Sequence, residues 1–186
     1  MEEIERRAEA VLGQLPPYIW TGKAPPIPID EIADSHFGLR VCEVSPAQMR
    51  EAPGLGIELA DDETISGLLL PSLGEIWVNA DEAAQWPARR RFTIAHELGH
   101  WVLHRTGQQA LFCRKASVDE EPGAPATTKP ALPVEESEAN AFAAALLMPA
   151  ELVRRHYERC EGDFERLCGV FRSSGAAMGR RLHVVI

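Results

Sequence analysis

The chain has no CxxC pair, no apolar run long enough to cross a bilayer, no basic amino-terminal region and a shortage of basic residues, and each absence removes a class of function. Its four cysteines, Cys42, Cys113, Cys160 and Cys168, are scattered. That scatter argues against a thiolate zinc site or a compact disulfide framework and fits reduced thiols in a cytoplasm. The longest apolar stretch, Ala141 to Ala150, contains Pro149 and falls far short of the roughly 20 residues of a spanning helix, so no membrane anchor is expected. The amino terminus, Met1-Glu2-Glu3-Ile4-Glu5-Arg6-Arg7, places acids where an export signal would have a basic region and an apolar run, so a cytoplasmic location is expected. With 19 Lys and Arg against 28 Asp and Glu, the net charge is -9. This opposes general attraction to nucleic-acid phosphates or anionic membranes and fits a neutral or basic protein partner better.

What is present is an ordinary globular composition: 186 residues, 45% hydrophobic and 25% charged, enough to enclose one core and a buried site. Ile4, Val11, Leu12 and Leu15 fall at helical spacings before Pro16-Pro17 ends the segment. Asp30 is in position to cap a short helix through about His36, and Gly38 leads into a strand, Leu39-Arg40-Val41-Cys42-Glu43-Val44. Gly67-Leu68-Leu69-Leu70 and Glu75-Ile76-Trp77-Val78-Asn79 read as an antiparallel pair around the turn Pro71-Ser72-Leu73-Gly74. Pro87 suits the first turn of a helix running to about His104, with Gly107 suited to its termination.

From Arg105 to about Val134 the chain is rich in Gly, Pro, Ala and Thr and has no sustained periodicity, so it is expected to be the most mobile internal segment and to act as a flap. Helices follow over about Glu135 to Met148, up to Pro149, and from there to about Cys160. The end of the chain reads as two short helices, about Asp163 to Phe171 and Gly175 to Leu182. Their spacing is that of a helix-turn-helix, but paired short helices are more often packing elements. Seven Arg against five acids from Ala150 onward make no convincing phosphate-binding face. The expected fold is α+β, with a short, mostly antiparallel sheet and a central helix. Residues 1–160 are read as one domain and residues 161–186 as a helical pair packed on it.

Chemistry concentrates in His96-Glu97-Leu98-Gly99-His100. On a helix, residues four apart share a face, so His96 and His100 can put two imidazole nitrogens on one metal ion, with Glu97 beside them. Zinc held by three protein ligands keeps a position for water and lowers its pKa to about 7, and a carboxylate then accepts the proton as the water attacks a peptide carbonyl. Glu97 is the candidate for that role. The bland alternative, three polar residues making ordinary hydrogen bonds on a helix, weighs less because a third ligand is at hand. Glu136 is that choice, since it opens Glu136-Ser137-Glu138-Ala139-Asn140 on a second helix; Asn140, one turn later, can support a ligand. Glu138 points to another face, and a solvated acidic helix start is the competing reading of Glu136. His104 continues the spacing, yet two helical turns span roughly 11 Å, so one zinc cannot take both His96 and His104 from an intact helix. Gly99 weakens the helix by about 1 kcal/mol relative to Ala, which a close approach of sheet or helix would explain. His36, His156 and His183 read as surface or core histidines.

These residues resemble the ImmA/IrrE metallo-endopeptidases. The likeness is carried by Arg91-Phe92-Thr93-Ile94-Ala95-His96-Glu97-Leu98-Gly99-His100 with Leu103-His104, and by the run from Glu136 to Leu146-Leu147-Met148-Pro149. A looser likeness extends to Phe171, Ser173, Ala177, Arg180 and Leu182. The resemblance implies a small gluzincin-like α+β domain with His96, His100 and Glu136 on zinc and Glu97 as general base. It also implies a regulatory protease that cleaves a helix-turn-helix repressor or antirepressor, often in stress control. The alternative is a silent zinc-fold protein that sequesters a repressor or toxin. An intact Glu97 favours the enzyme, since a binder needs no proton acceptor beside the metal. Candidates for stabilising the oxyanion are Tyr157, His156 and His104, and Glu75 to Asn79 is the expected edge for an extended substrate.

Overall fold

The computed structural model describes residues 2–53, 64–104, 111–114 and 133–186. Its first element, α1 (Glu2–Gln14), turns Ala8 and Val11 inward and lies against α6 (Val134–Leu147), as its apolar spacing requires. A short helix, α2 (Ile29–Glu31), runs on as a π-helical turn over Ile32–His36. Pro28, not Asp30, precedes it, and the turn has no side-chain cap. Asp30 instead meets the Arg90 guanidinium at 2.7 Å, an ion pair 60 residues apart that local capping rules could not foresee.

The sheet has four strands in the order β1-β3-β2-β4: β1 (Arg40–Val44), β2 (Ile65–Leu70), β3 (Glu75–Asn79) and β4 (Leu111–Arg114). β2 and β3 form the expected antiparallel hairpin, with Gly74 at φ +65° in its turn. β1 pairs with β3 in parallel, and β4 pairs antiparallel with β2 through a register shift between Ile65 and Gly67. The sheet is therefore mostly antiparallel. β3 lies between two partners, so the expectation that Glu75 to Asn79 offers a free edge is corrected. Hairpin adjacency in sequence says nothing of the third strand that fills the far side.

β4 falls inside the connection read as strandless, because four residues are too few to show a period against Gly- and Pro-rich neighbours. The rest of the flap expectation, and the stop assigned to Gly107, concern residues outside those described.

All six residues of β2 are buried, Ser66 included, which is why its Leu68-Leu69-Leu70 end reads as a continuous apolar run rather than an alternating one. Leu69 joins the main core with Ile76, Val78, Ile94 and Phe142. Leu68 and Leu70 face the other way, into a smaller cluster closed by Met49 of α3 (Pro46–Arg50). Truncation of Phe142, which is fully buried, to Ala should cost about 3–5 kcal/mol through lost contacts and the cavity left behind.

Asn79 ends β3 and starts α4 (Ala80–Gln85): its Oδ1 accepts from the N–H groups of Asp81 and Glu82, and its Nδ2 donates to the Ile65 carbonyl. After Trp86, Pro87 opens α5 (Pro87–Leu103), which crosses the sheet and packs along α6. Pro149 then separates α6 from α7 (Ala150–Arg159).

Asp163 caps α8 (Phe164–Phe171) and Ser174 caps α9 (Gly175–Val185). Phe171, Met178 and Val185 enter the same buried cluster as Val11 and Phe142. Arg181 is only 3% exposed, paired with Glu5 of α1 and donating to the Met148 carbonyl, so this guanidinium of α9 is committed inside the protein. No described helix is long and apolar enough to cross a membrane. Cys42, Cys160 and Cys168 are free thiols.

Candidate metal centre

The middle of α5 is buried on every side from Thr93 to His100, between β2 and α6. His96 and His100 stand one turn apart with ring centroids 4.7 Å from each other, and their Nε2 atoms converge to 3.0 Å. Glu136, in the first turn of α6, brings Oε2 to 3.3 Å from His96 Nε2 and Oε1 to 3.1 Å from His100 Nε2. The helices come this close because residue 99 has no side chain. A Cβ there would lie 3.0 Å from both the Cα and the carbonyl oxygen of Ala139. The expected close approach at Gly99 is thus made by a helix, not by the sheet.

Two imidazole nitrogens 3.0 Å apart, each 3.1–3.3 Å from a different oxygen of one carboxylate, converge as a zinc site requires, and one ligand atom from each residue lies within 4.8 Å of the other two. Bonds of about 2.0–2.1 Å at tetrahedral angles put ligand atoms about 3.4 Å apart. Two imidazoles and one carboxylate also suit zinc chemically. Asn140, four residues after Glu136, places Oδ1 at 3.0 Å from His96 Nδ1. With the proton on Nδ1 donated to that oxygen, the Nε2 lone pair faces the other two donors. The residues present therefore fit a metal ion.

His104 closes α5, its backbone N–H donating to the His100 carbonyl, and its Nε2 lies 3.5 Å from Glu138 Oε2. His104 and Glu138 thus face each other and stand outside the ligand trio. The His156 ring packs edge-on against Phe171, and the Tyr157 hydroxyl lies beside Gly162, so both are engaged where α7 meets α8.

Glu97 is 0% exposed, and neither carboxylate oxygen makes a hydrogen bond of ordinary length among the described residues; the Leu69 backbone amide is the one donor that acts on it, from longer range. Burial drives its pKa well above the ordinary carboxylate value; the negative charge of Glu136 adds to the rise, and the Leu69 backbone amide offsets part of it. Glu136 behaves oppositely. Burial alone would raise it, but hydrogen bonds and charge from His100 and His96 prevail and hold it at about 2.

One neighbour of Glu97 was missed by sequence reasoning. A Cβ on Gly67 of β2 would sit 2.8 Å from Glu97 Oε1 and inside the contact distance of Thr93 Cγ2. The available signal was a glycine within the strand-forming segment Ile65–Leu70, where it leaves room for a close approach.

Residues 37–183 match the peptidase family Peptidase M78, described as the IrrE N-terminal-like domain. No curated protein matches the chain significantly.

Proposed function

Because this chain belongs to the Peptidase M78 family of IrrE N-terminal-like domains, we propose that it is a zinc-dependent endopeptidase of the cytoplasm that cleaves a helix-turn-helix repressor or antirepressor and so controls transcription. The observation that carries the reading is the convergence of His96 Nε2, His100 Nε2 and the Glu136 carboxylate, with the Glu97 carboxylate, which makes no close hydrogen bond, on the same helix. Zinc, when bound, supplies a Lewis acid that acidifies water and polarises a carbonyl.

The chain's own residues do the rest. Asn140 orients the His96 ring, Glu136 closes the ligand set from the second helix, and Glu97 takes the proton from the attacking water and returns it to the leaving amine. Burial of Glu97 without a close hydrogen bond supports this role, since a carboxylate kept only for structure would be fully hydrogen-bonded. The same observation weighs against a silent binding protein.

Among the described strands the free edges are β1 and β4, and β4 is the one lying against α5. An extended segment of the substrate would pair with β4, gaining affinity from backbone hydrogen bonds, while surfaces outside the cleft choose the partner. A net charge of -9 suits a basic DNA-binding target.

The test is incubation with repressor-like proteins encoded beside its gene and, at equal concentration, with casein. Each is run with zinc and after chelation, and fragments are identified by mass spectrometry. Cleavage of one such protein at one or a few bonds, dependent on zinc, is expected. Rapid casein degradation with the repressors untouched would leave a general protease and remove the regulatory reading.

A further inference from the structure

We propose that Gly67 and Gly99 are positioning residues that set, independently of each other, the place of the proton acceptor Glu97 and the place of the metal ligand Glu136. Gly67 faces α5 from β2 and Gly99 faces α6 from within α5, and each leaves out a side chain where another part of the site comes close. On the sheet side, Gly67 sits at the register shift in β2, where its bare Cα forms the wall against which Thr93 and the Glu97 carboxylate rest. On the helix side, Gly99 touches the backbone of Ala139, three residues after Glu136 and one before Asn140.

The two contacts predict different failures. An alanine at 67 competes with Glu97 Oε1 for space, so the carboxylate must move; the Glu136 and Asn140 contacts reach His96 and His100 from α6, not from β2, and stay. An alanine at 99 meets backbone atoms of α6 at 3.0 Å and must push them away by a few tenths of an ångström. That displacement carries Glu136 and Asn140 away from His96 and His100, and disturbed support around a ligand commonly lowers metal affinity by about 10–100-fold. In an ordinary helix the same change would favour folding, because alanine is the better helix former. Stability and metal affinity should therefore part company at Gly99.

The Gly67 half rests on the reading of Glu97 as the base, whereas the Gly99 half rests only on the ligand trio. A single Gly67→Ala change risks misfolding against Thr93 Cγ2, so the test also uses Gly67→Ala with Thr93→Ser, which removes that methyl and leaves the Glu97 conflict in place. Cobalt(II) serves as a spectroscopic probe, and zinc affinity is measured by competition with a chromophoric chelator. Gly99→Ala should weaken both metals by about 10–100-fold while the protein stays folded, and Gly67→Ala/Thr93→Ser should stay within about threefold of the parent.

A crystal structure of the zinc-loaded double variant should show the Glu97 carboxylate displaced and the three ligands in place. Unchanged metal affinity in folded Gly99→Ala, or an unmoved Glu97 beside Ala at 67, would overturn the proposal. Turnover is a separate readout, expected to fall in the double variant relative to Thr93→Ser alone. Absence of any proteolysis by the unaltered protein would count against the peptidase reading and leave the two positional results standing.

Discussion

The α6 side and the β2 side of α5 treat a carboxylate in opposite ways. On the α6 side, Glu136 meets two imidazoles and is held ionised, at about 2. On the β2 side, Glu97 lies against a bare glycine, makes no close hydrogen bond, and is pushed by burial towards its neutral form. The difference teaches a division of labour. A carboxylate that must stay an anion to bind a cation is surrounded by donors, and one that must take up a proton is kept free of them. Each part of that contrast can be broken separately.

The largest effect is expected from the ligands. His96→Ala or His100→Ala should take the protein from one zinc per chain to none after dialysis, read by elemental analysis, because two remaining ligands hold the ion poorly. Next, Glu97→Gln should keep the zinc and lower hydrolysis by about 10²–10⁴-fold, the usual contribution of a positioned acid or base. A fully active Glu97→Gln enzyme would erase the distinction between the two sides.

A finer cut compares Glu136→Ala with His104→Ala. The first should weaken zinc binding severely, and the second only slightly, since His104 faces Glu138 and stands outside the trio. Competitive zinc titrations of the two variants decide it, and the reverse order would mean that α5 opens after His100 to hand over a different ligand.

The smallest effect concerns pH and the metal-free protein. Glu97 has a raised pKa in the fold, so as pH climbs past the ordinary carboxylate value of about 4.3 the unfolded chain ionises first and the folded state loses stability. That loss continues until Glu97 ionises in place. Glu97→Gln removes this slope, so its stability advantage over the parent should grow between about pH 4 and neutrality. Urea unfolding of chelator-treated protein across that range is the measurement, and a gap that stays constant with pH would show that Glu97 is not strained by its charge.

Legibility followed the range of the interaction. The α5 and α6 helices, the hairpin, and the pairing of His96, His100 and Glu136 are written in short-range spacings: four residues within α5, and an acidic start followed by Asn140 in α6. Asn140 as support for a ligand was readable for the same reason, one turn after Glu136 on the same face; that the ligand is His96 was not. The parallel partner of β3 and the central place of that strand were hidden, because strand order depends on contacts across the sheet. Asp30 looked like a cap from its neighbours and is an ion-pair partner from its surroundings. Gly67 was hidden most fully. β2 is covered on both faces, so its sequence carries no alternation to show which side faces α5; a glycine in the strand hints at a close approach, but nothing local says that the approaching residue is Glu97.

The claim that a ligand trio and a separate proton acceptor share α5 is tested most directly by anomalous diffraction from zinc-loaded crystals at the zinc edge. One anomalous peak is expected, bonded to His96 Nε2, His100 Nε2 and the Glu136 carboxylate at about 2.0–2.2 Å, with the Glu97 carboxylate beside it and unbound. A peak ligated by Glu97 or His104 in place of Glu136, or no peak at this site, would contradict the account.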